Sequence, residues 1–173
     1  MNRTLAPEFK QADKIDLVIP QKIVLDNDIS LYWLKDVKDD SVRLDIEWFA
    51  GTKYQTKKLV AGFTNKLLLS GNEKKSAREI AAEIDFYGGF VQDECDKDHS
   101  GVTLYGLKEN FKNIFSVFNE AMLTCTFPEK DFEDERNITL SKFKIDSEKV
   151  KYLCQRTFNA ALFGENTPYG QMA

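Results

Sequence analysis

Histidine is almost absent from this chain, because His99 is the only one in 173 residues. Zinc enzymes usually hold their metal with three protein ligands, and histidine is prominent among them. One imidazole cannot supply two histidine ligands, so we expect this chain to bind no catalytic zinc and to need no cofactor. No cysteine lies beside His99 in the sequence, which argues against a cysteine hydrolase. We interpret His99 as a solvated residue of the turn in which it lies.

The chain also contains few cysteines, no long apolar run and no excess of positive charge. The three cysteines, Cys95, Cys125 and Cys154, match no zinc ribbon or C-x-x-C pair, and we expect them to be small buried apolar residues. A net charge of −4 argues against nucleic acid as a partner. No segment is apolar over a length that could span a membrane, so we predict no membrane span.

The residues that are present indicate a folded α+β domain. Hydrophobic residues make up 42% of the chain and charged residues 30%. Residues 1–21 are polar with two prolines, and we interpret them as an extended N-terminal arm. Apolar and polar residues alternate over 42–48, which predicts a strand with one buried face. Further strands are predicted at 23–25, 29–34, 90–95 and 102–107.

Between and after these strands the apolar residues recur at helical spacing. An apolar helix follows Leu59 and is expected to be buried, with Gly71 as its C-terminal cap. Ser76 and Glu79 form a capping box that opens a second helix. Three more helices are predicted at about 111–122, 129–144 and 150–162. We therefore expect a largely antiparallel sheet with helices packed on one face.

Six short segments, taken in order, resemble the N-terminal domain of the pitrilysin/insulinase-type (M16) zinc peptidase family. They are Ala50-Gly51-Thr52-Lys53-Tyr54, residues 60–72, the Ser76–Gly89 helix, Phe127-Pro128, Glu135-Arg136-Asn137, and Leu162-Phe163 with Pro168-Tyr169-Gly170. The resemblance implies a LuxS/MPP-like metallohydrolase fold. It further implies that residues 22–173 are an incomplete N-terminal domain that stops before its last strand.

Active members of this family carry H-x-x-E-H on the first helix and a glutamate ligand on a later helix. Aligned through Gly71, the motif falls on Gly62-Phe63-Thr64-Asn65-Lys66. The later helix aligns through Glu135-Arg136-Asn137, which places its ligand on Lys142. The resemblance thus implies that both histidines, the general base and the last ligand are all replaced. Glu135 matches a supporting carboxylate. Glycine has no donor atom, asparagine is no useful base, and lysine is a cation that repels zinc.

The replaced positions leave several interpretations open. Lys66 and Lys142 could form a cationic pocket for an anion, but we favour drift in which one of them pairs with Glu135. The acidic residues over 129–135 could contact a basic partner, but we favour a solvated helix face. Trp48 and Phe49 could mark a sheet edge that accepts a peptide, but we favour an inward-facing Trp48.

Three functions follow from the resemblance. The first is a non-catalytic subunit that binds peptides or forms a chamber, paired with an active M16 homologue or a second M16-type domain. The second is a zinc-dependent endopeptidase whose intact H-x-x-E-H lies in another domain of the parent chain. The third is a purely structural scaffold subunit. By analogy with bacterial members a periplasmic location is favoured, and a cytoplasmic one stays open.

Overall fold

The computed structural model describes residues 17–35 and 39–171, and its contacts divide the chain into two compact units, 1–39 and 40–173. The first unit contains an antiparallel hairpin of β1 (Gln21–Val24) and β2 (Ser30–Trp33). Asp28 has a φ of 64° in the connecting turn, as the Asp-Asn-Asp sequence predicts. Most of the predicted N-terminal arm lies outside the described residues, so its boundary stays a prediction.

The second unit contains a three-stranded sheet of β3 (Ser41–Trp48), β4 (Phe90–Cys95) and β5 (Ser100–Leu107). The strand order is β3-β5-β4, and both pairs are antiparallel. Every second residue of β3 is half-buried, while the residues between them are exposed. This alternation confirms that one face of the sheet supports a core and the other faces solvent.

Five helices complete the second unit over its described residues, 40–171. They are α1 (Val60–Lys66), α2 (Ala77–Phe86), α3 (Phe111–Leu123), α4 (Glu129–Ser147) and α5 (Val150–Phe163). The helices α1, α2 and α3 share the core face of the sheet, whereas α4 and α5 contact each other and contain no buried residue. The predicted antiparallel sheet with helices on one face is confirmed.

The core is an apolar cluster between β5, α2 and α3. Its largest fully buried side chains belong to Phe118, Ile80, Leu104 and Ile114. Burying each such side chain contributes roughly 1.5–3 kcal/mol. Gly106 on β5 lies directly under Ile114, and a Cβ atom at this position would overlap with the isoleucine side chain. The absence of a side chain at Gly106 therefore lets α3 approach the sheet closely.

Local signals correctly predict α2 and the start of α4. The Ser76 hydroxyl accepts the N–H of Glu79, and the Glu79 carboxylate accepts the N–H of Ser76 at 2.8 Å. Acidic residues occupy the first turn of α4, where they face the positive end of its dipole. None of the helices within 17–35 and 39–171 combines the length and hydrophobicity that a membrane crossing requires.

Two predictions about burial and helix ends are wrong. The helix α1 ends at Lys66 with Leu67 as its cap, because the N–H groups of Leu68 and Ser70 turn back to carbonyls three residues earlier. Gly71 instead pairs with Ser76 in an isolated bridge, at a φ of 133°. Cys154 is exposed because it lies on α5, which buries no residue, whereas Cys95 and Cys125 are half-buried.

Candidate functional site

The buried residue of α1 is polar, although the sequence predicts an apolar buried helix. Asn65 is 4% exposed, and its Nδ2 donates to the carbonyl oxygens of Glu94 at 2.9 Å and Gly101 at 3.0 Å. Glu94 and Gly101 are cross-strand partners in β4 and β5. The Asn65 amide, which the alignment predicts to stand at the position of the general base, therefore ties α1 to the sheet and satisfies two backbone acceptors.

The two positions that the alignment assigns to the zinc-binding histidines, Gly62 and Lys66, lie about one turn apart on α1. A Cβ atom built on Gly62 meets nothing within 4 Å, so open space lies beside this position. Lys66 Nζ lies 2.5 Å from Glu135 Oε1 on α4. The predicted ion pair between a replaced ligand position and Glu135 is thus confirmed, with Lys66 as the partner.

Glu135 is held as a carboxylate by its surroundings. Its side chain is only 19% exposed, and it also accepts a 2.9 Å hydrogen bond from the Thr139 hydroxyl. Burial is the largest single effect and raises the pKa of Glu135, but the bonds from Lys66 and Thr139 and the charges of Lys66 and Lys142 together lower it. Lys142 lies seven residues after Glu135, on the same face of α4 two turns further on. The site is therefore one carboxylate with two neighbouring ammonium groups.

The donor set at these positions does not fit a His2Glu zinc site. Gly62 offers no donor atom, the Asn65 amide is bonded to the sheet, and Lys66 is a cation already paired with Glu135. Across residues 17–35 and 39–171, no three His, Cys, Asp or Glu side chains are grouped so that they could hold a metal ion.

His99 lies apart from this constellation, in the turn between β4 and β5. Its ring packs against Phe49 with the ring centroids 5.0 Å apart, and its backbone N–H donates to Asp96 Oδ1 at 2.6 Å. Phe49 is 78% exposed, whereas Trp48 is half-buried against the core. Trp48 is therefore an inward residue of β3, as predicted, and Phe49 forms the exposed aromatic surface.

The sequence did not indicate which strand edge lies beside α1. The helix contacts β4 and β5, and β4 has no strand neighbour on its outer side within the described part of the chain. Strand β3 is the opposite edge of the described sheet and lies away from α1. The edge beside α1 is thus β4, which local alternation in the sequence could not reveal.

The sequence and the fold match a known family. The family profile described as Insulinase (Peptidase family M16) matches residues 35–170, which is most of the chain. The chain therefore belongs to peptidase family M16.

Individual relatives are distant in sequence. The chain is 22% identical over 129 residues to "Uncharacterized zinc protease YmxG" of Bacillus subtilis (strain 168), a match over 73% of this chain and 32% of that protein. The peptidase M16 inactive domain from Pseudomonas fluorescens superposes with a TM-score of 0.83 at 20% identity, over 88% of this chain and 38% of that one. A protease from Helicobacter pylori superposes with a TM-score of 0.77 at 16% identity, over 90% of this chain and 38% of that one. The present chain thus spans about a third of the length of these relatives.

Proposed function

We propose that this domain is a non-catalytic member of family M16 that binds an extended peptide along β4 and works beside a zinc-bearing M16 partner domain. The observation that supports this proposal most directly is the contact between α1 and the edge strand β4. The helix that carries the catalytic motif in active relatives here anchors the sheet through Asn65 and pairs with α4 through Lys66.

The chemistry of peptide hydrolysis needs groups that these positions lack. A zinc peptidase needs a metal to polarise the carbonyl and a carboxylate base to activate water. Gly62, Lys66 and Lys142 stand at the ligand positions of our alignment, and Asn65 stands at the base. Loss of all four groups supports a role in which the domain holds a substrate or shapes a chamber without cutting.

An exposed strand edge suits an extended peptide. Unpaired backbone groups of an edge strand can form a ladder with an added strand, and its side chains then set the preference. The exposed Asp93 and Glu94 place negative charge along β4. We therefore expect extended peptides with lysine or arginine residues to bind better than neutral or acidic ones.

Peptide binding is tested by fluorescence anisotropy with a labelled basic peptide of about ten residues, matched to an acidic peptide of equal length. We expect micromolar binding of the basic peptide, and Asp93→Lys should weaken it by about fivefold, a loss of roughly 1 kcal/mol. Asp85→Lys, an exposed change at the end of α2, is the matched control and should bind as the native chain does. Absence of binding would instead favour the scaffold function.

The partner role needs a separate measurement. A homologue with intact H-x-x-E-H is assayed for peptide cleavage alone and after mixing with the native chain, and we expect activity to rise on mixing. No gain with any such homologue would contradict the paired role. Cleavage by the parent protein alone, lost on zinc removal, would favour an intact motif in another of its domains.

A further inference from the structure

A pocket of about 260 Å³ lies where the loop after β3, the β4–β5 turn and the segment after α5 meet. The site discussed above does not use this pocket. Three of its lining residues are lysines, and none is an arginine or a carboxylate residue. The lining residues are Thr52, Lys53, Gln55, Thr56, Lys58, Lys97, Asn166, Pro168 and Gln171.

The walls of the pocket are tied together by the backbone. The N–H of Thr52 donates to the carbonyl of Asp96, and the N–H of Lys53 donates to the carbonyl of Lys97, each at 2.9 Å. Tyr169 completes the frame, since its hydroxyl donates to Asp98 Oδ1 at 2.6 Å. The backbone segments that carry Lys53 and Lys97 are therefore held in place before any ligand binds, which reduces the entropy lost on binding.

Among the described residues, two of the three ammonium groups have no carboxylate partner in an ion pair. Lys53 is paired with Asp98. Lys97 donates to the backbone carbonyl of Gln171, and neither Lys97 nor Lys58 forms an ion pair with any residue of 17–35 or 39–171. Burial lowers the pKa of Lys97, which shows that its charge is partly removed from water. An anion in the pocket would supply the missing counter-charge.

A buried hydroxyl points to the same ligand. Thr52 Oγ1 is buried and has no hydrogen-bond partner among the described residues. Most buried side-chain polar atoms do have one, so this atom calls for an explanation. A rotation of the Thr52 side chain toward the pocket on binding would let this hydroxyl donate to a ligand oxygen.

We propose that this pocket binds the phosphate group of a small phosphate monoester. Lysine binds phosphate as a point charge, whereas planar carboxylates are typically matched by the arginine fork, which the lining lacks. A phosphate monoester carries a charge of about −1.5 to −2 at neutral pH, which balances the two uncompensated ammonium groups. The volume exceeds that of the phosphate group alone and leaves room for a small organic part.

The test titrates the 173-residue chain with glycerol 3-phosphate, inorganic phosphate and acetate at constant ionic strength, followed by calorimetry and amide chemical shifts. We expect saturable binding of both phosphates, with shifts confined to the three segments around the pocket, and no saturation with acetate. Tighter binding of glycerol 3-phosphate would identify a phosphorylated organic molecule as the ligand. Tighter binding of inorganic phosphate would identify the free ion, which would overturn the monoester assignment.

Variants separate a built site from general attraction to positive charge. Lys97→Gln and Thr52→Val should each weaken phosphate binding by about tenfold, as expected for hydrogen bonds to a charged group. Lys112→Gln, an exposed lysine on α3, is the matched control and should leave binding unchanged. Circular dichroism checks the folding of each variant, and Lys58→Gln, at an exposed position, provides the same test if Lys97→Gln does not fold. Equal affinities in the native chain and the pocket variants, or no saturable phosphate binding, would overturn the proposal.

Discussion

The side-chain amide of Asn65 lies 3.0 Å from the main-chain oxygen of Gly101, on the strand below α1. The same nitrogen reaches Glu94 on the neighbouring strand at 2.9 Å. One side chain thus links a helix to two paired strands. If Asn65 stands at the position of the catalytic base, as the alignment predicts, the asparagine contributes a structural contact there.

Asn65→Asp should destabilise the domain strongly. A buried carboxylate would face two carbonyl oxygens without a donor, and we expect a loss of about 2–4 kcal/mol in the free energy of unfolding at neutral pH. The loss should shrink as the pH falls, because a protonated aspartic acid can donate one bond. Urea unfolding measures both effects. Asn113→Asp, at an exposed position of α3, is the matched control and should change stability by less than about 0.5 kcal/mol. Equal effects of the two changes would refute the anchoring role.

The Lys66–Glu135 pair should make stability depend on pH. The folded pKa of Glu135 is lowered from 4.5, so the pair stabilises the domain above about pH 4.5, and this contribution is lost as the pH falls through the lower folded pKa. In a double-mutant cycle of Lys66→Met and Glu135→Gln, we expect a coupling energy of about 1 kcal/mol at pH 7. The coupling energy should decrease as the pH falls below about 4.5 and disappear once Glu135 is protonated. A double-mutant cycle on the more exposed Glu133–Arg136 pair is the control and should give a smaller coupling energy. A Lys66–Glu135 coupling energy that does not change with pH would contradict the role of this ion pair.

Restoring three ligands should restore metal binding. Gly62→His, Lys66→His and Lys142→Glu together recreate a His2Glu set, and the open space beside Gly62 accommodates the new side chain. We expect about one zinc per chain by equilibrium dialysis and metal analysis, and none in the native chain. With Asn65 retained, the variant should still cleave no peptide. The two-histidine variant that keeps Lys142 is the control and should bind zinc more weakly. Stoichiometric zinc on the native chain would refute its assignment as non-catalytic.

Gly106→Ala should overpack the core. The added methyl group would overlap with Ile114 Cδ1, and Ile114 is fully buried, so we expect a loss of about 1–3 kcal/mol. Ile114→Val removes that carbon atom and should cost about 0.5–1.5 kcal/mol alone. The double variant should lose less than the sum, as measured by thermal unfolding. Strict additivity would show that α3 moves away from the sheet instead.

Sequence patterns predict the elements whose signals are local. The capping box of Ser76 and Glu79 lies within one turn, and the alternation in β3 reflects one buried face, so both are correctly predicted. The end of α1 is predicted wrongly, because Gly71 is committed to a bridge with Ser76 rather than to the helix. A glycine after an apolar run does not reveal which of these contacts it makes.

The candidate site depends more on contacts between distant residues. The Lys66–Glu135 pair joins residues 69 positions apart, and only the family resemblance brought them together beforehand. The role of Asn65 could not be predicted, since its partners are backbone carbonyls that carry no sequence signal. The lysine pocket is assembled from three separate segments, and no spacing along the chain marks it.

The charges on β4 also bear on how this protein behaves at high concentration. A bare strand edge is a template on which identical edges can stack into fibrils, and like charges placed on it oppose such stacking. If two copies met through β4, the side chains of Asp93 and Glu94 on each would add to the negative charge along the shared seam. This repulsion opposes the pairing of two β4 edges with each other, and it leaves the edge available to a peptide of a different sequence.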